Sequence, residues 1–140
     1  MVGSARQHPL ELILLRQFAA CLRTPAALFD EDGRLIYLNP VAEAVFGVDF
    51  ASIGELSMEQ ALAIAQPTDD HGAPMDPSTV PVGKALDEGR PELGTLSIRD
   101  PHGRTHHLGT TTIPVQGQGR TLIGAMSIFW NLENVRQMER

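Results

Sequence analysis

The chain has 140 residues with 11 Lys+Arg against 17 Asp+Glu, a formal net charge of -6, which argues against a broad phosphate-binding surface and against nucleic acid as a direct partner. Its length suits one domain, and its single cysteine, Cys21, excludes an internal disulfide and a multi-cysteine zinc site. We expect a cytoplasmic protein without membrane contact, because no apolar run approaches the roughly 18 to 20 residues that cross a bilayer.

Residues 9–23 are predicted to form an apolar helix that Thr24-Pro25 ends. One apolar stripe consists of Leu10, Ile13, Leu14, Phe18 and Cys21, and a second consists of Leu12, Leu15, Ala19 and Leu22. Such a helix needs two burial partners. We predict that the second stripe covers a sheet and that the first forms a parallel homodimer interface through Leu10, Ile13, Leu14 and Phe18. The opposite assignment of the two stripes satisfies the same pattern.

Residues 26–29 and 34–38 flank a turn cluster at 30–33 and predict a β-hairpin. Asn39-Pro40 predicts the start of a short helix that Gly47 ends. Ser57 and Gln60 have the spacing of a capping box, which predicts a second short helix to about residue 65. The segment 66–80 is rich in proline and glycine and is predicted to be irregular, and residues 81–88 form a further helix.

Residues 93–99, 104–115 and 121–131 are predicted to form an antiparallel meander. The expected fold class is therefore α+β, with a five-stranded antiparallel sheet, a short-helix insertion on one face and the N-terminal helix on the other. Residues 132–140 return to helical character, with Leu132, Val135 and Met138 on one side. Because this stripe is too short to be stable alone, we expect the natural protein to continue past Arg140.

The fold predicts a cavity between the sheet and the insertion helices that suits a small, mostly apolar ligand. The helices are expected to contribute Phe46, Leu62, Ile64, Val82 and Leu86. The sheet is expected to contribute Leu96, Ile98, Leu108, Thr110, Met126 and Ile128. A hydroxyl group in this core needs a hydrogen-bonding partner, which a ligand could supply. A register error of one residue would place the strand residues on the opposite face.

The pattern of ionisable residues indicates neither a catalytic site nor a metal site. Cys21 is expected to be a small buried helix residue. His71 lies in a loop, and His106 and His107 are neighbours on a strand that should point to opposite faces, so at most one of them can join His102. We expect His102, His106 and His107 to be solvated polar residues.

The segment PAALFDEDGRLIYLNP, residues 25–40, resembles the opening hairpin of the PAS domain family, P-x-x-(hydrophobic)-x-D-x-x-G-x-(hydrophobic)-x-x-x-N. Asn39 stands at the helix-capping asparagine of that family, and Phe46-Gly47 at its usual helix end. Residues 70–81 and 85–89 resemble the segment around its central helix, and residues 100–103, 114 and 124–129 resemble its final strands. A departure is Asn131-Leu132-Glu133, where many members have an Asp-Ile-Thr-like triplet.

The resemblance divides the chain into a flanking helix at 1–23, a PAS-like sensor domain at 24–131 and the start of a linker helix at 132–140. It implies a non-catalytic sensor that binds a small ligand or partner and signals through homodimerisation to an effector, such as a histidine kinase or a transcription regulator. Flavin-binding members carry an Asn-Cys-Arg-Phe-Leu-Gln motif and haem-binding members an axial histidine on the central helices. This chain has neither, so no cofactor is predicted. The alternatives are a structural homodimerisation module without ligand and a small cavity enzyme, which would need an ionisable pair facing its cavity.

Overall fold

A computed structural model of the chain describes residues 8–133 and has an α+β architecture, as predicted. The helices are α1 (Leu10–Ala20), α2 (Pro40–Phe46), α3 (Phe50–Ile53), α4 (Met58–Ala65) and α5 (Pro81–Glu88). The strands are β1 (Ala26–Asp30), β2 (Leu35–Leu38), β3 (Glu92–Arg99), β4 (Thr105–Gln116) and β5 (Leu122–Asn131). The predicted linker helix extends beyond residue 133, so Val135 and Met138 lie outside the described residues.

The strands form one antiparallel sheet in the order β2-β1-β5-β4-β3. The first and last strands of the chain thus lie side by side in the sheet. The segment after α4 runs along the edge strand β3, where the backbone groups of Thr68 and Ser97 exchange hydrogen bonds of 2.8 and 3.0 Å. This contact pairs backbone groups that an open sheet edge would leave exposed.

Local capping explains where the short helices begin. The Asn39 side chain accepts a hydrogen bond from the Ala42 amide at the start of α2, and Ser57 and Gln60 form the predicted capping box of α4. Helix α3 was not predicted as a separate element. The Asp49 carboxylate caps it, and it has only four residues. A helix of this length is too short to show a helical period in the sequence.

The sheet has an apolar core on each face. On the inner face, Phe29, Leu96 and Phe129 pack with residues of α2, α4 and α5. On the outer face, Leu12 of α1 packs with a cluster that consists of Leu28, Ile36, Ile123 and Met126. Helix α1 therefore covers part of the outer face, as predicted.

The end of β5 is closely packed on the outer face. The indole ring of Trp130 lies over Gly109, its partner on β4, and leaves no space there for a Cβ atom. Only glycine allows the ring to approach the backbone in this way. This contact fixes the position of the indole ring near the end of β5.

Candidate functional site

A cavity of about 110 Å³ lies between the inner face of the sheet and the insertion helices. The sequence-predicted residues that line it are Phe46, Leu62, Ile64, Val82, Leu96, Ile98 and Thr110. The aromatic rings of Phe46 on α2 and Phe129 on β5 meet edge to face, with their centroids 5.4 Å apart. This contact holds α2 against the sheet beside the cavity.

The placement of Met126 and Ile128 in the cavity was wrong, because the inward face of β5 was misassigned by one residue. Thr112 is paired with Ser127, and Thr110 with Phe129. Since directly paired residues share a face of the sheet, the inward position of Thr110 requires Phe129 to point inward as well. Met126 and Ile128 instead pack on the outer face with the cluster that contains Leu12.

Two further predicted residues lie in the inner core but do not line the cavity. Leu108 is buried in that core, and Leu86 packs against it. Sequence reasoning missed the lining residues Ala27, Phe29, Leu35, Leu38, Val48, Ile53, Leu56, Met58, Ala61, Ala65, Pro67, Val80, Pro81, Thr112, Ser127 and Phe129. Part of this wall comes from β1, whose continuous apolar run is the signal of a strand buried on both faces.

Three hydroxyl groups lie on the sheet wall of the cavity. Thr112 and Ser127 are hydrogen-bonded to each other, with 2.7 Å between their oxygens. The Thr110 hydroxyl is buried and has no hydrogen-bonding partner among residues 8–133. An unsatisfied buried hydroxyl costs free energy, so Thr110 has an unused capacity to bind a polar atom inside the cavity.

On the opposite face of the sheet, α1 presents the predicted apolar stripe to solvent. Leu10, Ile13, Leu14 and Phe18 are 65%, 43%, 53% and 56% exposed, whereas Leu12 is 1% exposed. The structure thus assigns the stripe of Leu12 to the sheet. Leu93 and Ile113 are also exposed on the part of the outer face that α1 leaves uncovered.

Both ends of α1 are attached to the domain by polar contacts. Before its first turn, His8 Nε2 lies 3.0 Å from a Glu55 carboxylate oxygen. At its last turn, the Asn39 side chain donates a 2.9 Å hydrogen bond to the Ala19 carbonyl. Between these ends, the Arg16 guanidinium lies 4.8 Å from the centre of the Tyr37 ring. The exposed stripe is therefore held in a fixed position on the domain.

The electrostatics around α1 follow from these contacts. Burial alone would raise the pKa of Glu55, but hydrogen bonds from His8 and Arg34 outweigh it and lower that pKa from its ordinary value. Burial raises the pKa of Tyr37, although the nearby Arg16 charge acts in the opposite direction. Glu55 is therefore held as a carboxylate. It connects His8, before α1, with Arg34, before β2.

The other residues considered for chemistry lie apart from the cavity. Cys21 is exposed at the end of α1, so the expectation of a buried thiol was wrong. His71 is exposed in its loop. His106 is half-buried rather than fully solvated and pairs with Asp100 at 2.9 Å, and this hydrogen bond lowers the pKa of Asp100. Within residues 8–133, no group of His, Cys, Asp and Glu side chains could hold a metal ion.

Comparison with known proteins places this geometry in a family. A family model described as the PAS fold matches residues 22–137. The PAS domain of BvgS from Bordetella pertussis is 18% identical, with a TM-score of 0.59 over 92% of this chain and 95% of that chain. No curated protein sequence matches the chain.

Two other solved structures have the same fold. The PAS domain of nitrogen regulation protein NR(II) from Vibrio parahaemolyticus is 18% identical, with a TM-score of 0.59 over 84% of this chain and 97% of that chain. The LOV protein of Rhodobacter sphaeroides is 14% identical, with a TM-score of 0.68 over 87% of this chain and 67% of that chain. The family match over most of the sequence and the shared fold show that the chain belongs to the PAS domain family.

Proposed function

We propose that this PAS domain is a cytoplasmic sensor that binds a small molecule in its inner cavity and signals through homodimerisation on α1. Its output would pass to an effector domain or protein, such as a histidine kinase or a transcription regulator. Domains of this family are generally sensory and non-catalytic. The observation that carries the proposal is a cavity on one face of the sheet and an exposed apolar helix stripe on the other, where the cavity holds a hydroxyl that no described residue pairs with.

Strands β1 and β5 connect the two faces. Phe29 and Phe129 line the cavity from these strands, while the adjacent Leu28 on β1 packs under α1. A displacement of either strand by a ligand would therefore also change the surface on which α1 rests. This arrangement supports a relay from the cavity to the exposed stripe.

The cavity gives the alternative functions less support. A purely structural module needs no internal space, whereas this core contains a cavity. An enzyme would need ionisable groups that face the cavity, and none of the described residues that line it is ionisable. No helix within residues 8–133 has the length and apolar character to cross a membrane.

The residues around the cavity do not fit flavin or haem, the two cofactors that other members of the family bind. A flavin adduct needs a cysteine beside the ligand, but Cys21 directly follows α1, across the sheet from the cavity. Haem needs an axial histidine, and none of the described lining residues is a histidine. The proposed ligand is therefore neither a flavin that forms a cysteine adduct nor a haem with an axial histidine from the cavity wall.

The dimer is tested by Leu14→Glu. If the stripe is buried between two copies, an unpaired carboxylate there should weaken the dimer by roughly 3 kcal/mol or more. Sedimentation at micromolar concentrations should show a dimer for the unmodified chain and a monomer for the variant. Ala63→Glu adds the same charge at an exposed position of α4 and should leave the dimer intact. A monomeric unmodified chain that Leu14→Glu does not change would contradict the dimer.

The orientation of the two copies has its own test. In a parallel dimer the exposed Cys21 thiols at the ends of the two α1 helices come close together. A short bis-maleimide should then cross-link the unmodified chain and fail with Cys21→Ser. Native mass spectrometry of freshly purified protein would report the oligomeric state and any retained ligand together. Efficient dimerisation without cross-linking would contradict the parallel orientation.

A further inference from the structure

We propose that the ligand is a neutral molecule of about six non-hydrogen atoms or fewer, largely apolar, with one carbonyl or hydroxyl oxygen that accepts a hydrogen bond from Thr110. This inference rests on the proposed ligand-binding function and narrows it to a chemical class. It assigns Thr110 as the residue that selects the ligand. The size, the charge and the polar group are argued separately below.

The size of the ligand follows from the cavity volume. The cavity measures about 110 Å³. An apolar protein cavity of about 150 Å³ accommodates benzene, which has six non-hydrogen atoms. The present cavity therefore suits a ring of five or six atoms or a chain of similar size.

The charge of the ligand follows from the lining. Apart from Thr110, Thr112 and Ser127, every described residue that lines the cavity is apolar, and none is charged. A carboxylate or an ammonium group would lose its hydration there without gaining an opposite charge. The ligand is consequently neutral, and most of its surface contacts hydrocarbon.

The polar group follows from the hydroxyl groups on the sheet wall. Thr112 and Ser127 satisfy each other, while Thr110 is buried with 1% of its surface exposed and finds no hydrogen-bonding partner in the described part of the chain. A hydroxyl group can donate its proton to a carbonyl or hydroxyl oxygen. One such oxygen in the ligand would satisfy Thr110 and would fix the orientation of the ligand against β4.

The experiment compares two probes of equal size, cyclopentanone and methylcyclopentane, by NMR titration of the full chain with labelled methyl groups. Both probes should shift signals of cavity residues such as Leu96 and Ile98. Thr110→Val replaces the hydroxyl by a methyl group of similar volume. It should weaken cyclopentanone binding about fivefold and leave methylcyclopentane binding within about twofold.

The control variant is Thr110→Ser, which keeps the hydroxyl and should retain most of the affinity for cyclopentanone. Equal effects of Thr110→Val on both probes, or no effect on either, would overturn the role of Thr110 while leaving a ligand-binding cavity in place. Tighter binding of cyclododecanone than of cyclopentanone would overturn the size limit. If no probe shifts the signals of the cavity residues at millimolar concentration, the proposed ligand-binding function itself fails.

Discussion

The fully buried side chain of Asn39 makes four hydrogen bonds to the backbone. Its Oδ1 accepts hydrogen bonds from the amides of Ala26 and Ala42, at 3.0 and 2.9 Å. Its Nδ2 donates to the carbonyls of Ala19 and Thr24, both at 2.9 Å. One residue thereby caps α2 and joins the end of α1 to the start of β1.

Replacing Asn39 by alanine should destabilise the domain by about 2 to 4 kcal/mol, since it removes a cap and leaves buried backbone groups unpaired. Asn39→Asp can still accept both hydrogen bonds but cannot donate the other two, so it should be about equally harmful. Denaturation in urea gives the free energies of unfolding. Asp49→Ala, which removes an exposed cap of α3, should cost about 1 kcal/mol or less. Full stability of Asn39→Asp would show that the two hydrogen bonds donated by Nδ2 contribute nothing measurable.

At the scale of the elements, α1 has two sides with different roles. Leu12 enters the outer core between Leu28 and Ile123, and its side chain lies close to Gly124 on β5. On the opposite side of the helix, the stripe that contains Leu14 and Phe18 is open to solvent. Packing on the sheet and exposure of an apolar stripe are thus properties of one short helix.

Leu12→Ala should lower the free energy of unfolding by about 2 to 5 kcal/mol, because it opens a cavity in the outer core. Ala20→Ser changes an exposed residue of the same helix and should alter stability by less than about 0.5 kcal/mol. Thermal and urea unfolding of both variants at one protein concentration provide the comparison. A small effect of Leu12→Ala would mean that α1 contributes little to the stability of the sheet.

At the scale of the whole molecule, local signals predicted the elements well. The turn at 30–33, the cap at Asn39 and the Ser57–Gln60 capping box each involve residues close in sequence, and the structure confirms them. The inward face of β5 depends on contacts between strands far apart in sequence. Both faces of β5 carry apolar residues, so the hydrophobic pattern alone did not show which face points inward.

The residues of the cavity wall were also only partly predictable from the local sequence pattern. The inner position of Thr110 was correct, and the pairing of Thr112 with Ser127 then places Ser127 on that face. Met126 and Ile128 of β5 pack on the outer face with the cluster that contains Leu12, while Ala125, Ser127 and Phe129 face inward, and two of these three are small. Small residues on the inner face leave volume unfilled beneath the helices. The residue pattern of a single strand does not reveal this unfilled volume.

Acid stability is a further property of the whole molecule that the structure predicts. The pKa of Glu55 lies below its ordinary value of 4.5 in the folded protein. Its stabilising contribution is therefore complete above that ordinary value and is lost as the pH falls through the lowered one. Glu55→Gln should be less stable than the unmodified chain at pH 7, and the difference should shrink in acid.

Urea unfolding at pH 7 and at pH 3 measures this difference directly. Glu59→Gln is a matched control, because Glu59 is exposed on α4, and it should change stability little at either pH. A difference for Glu55→Gln that stays constant between the two pH values would show that the carboxylate charge does not hold the start of α1.

The stacking of Trp130 on Gly109 has a practical consequence. Trp130 is the only tryptophan in the chain, and it lies one residue before the end of β5. Indole fluorescence excited at long wavelength therefore comes from one known position, on the outer face where the chain leaves the sheet. Trp130 is thus an intrinsic fluorescence probe at the end of β5. Changes in the surroundings of its ring can be followed by emission without an attached dye.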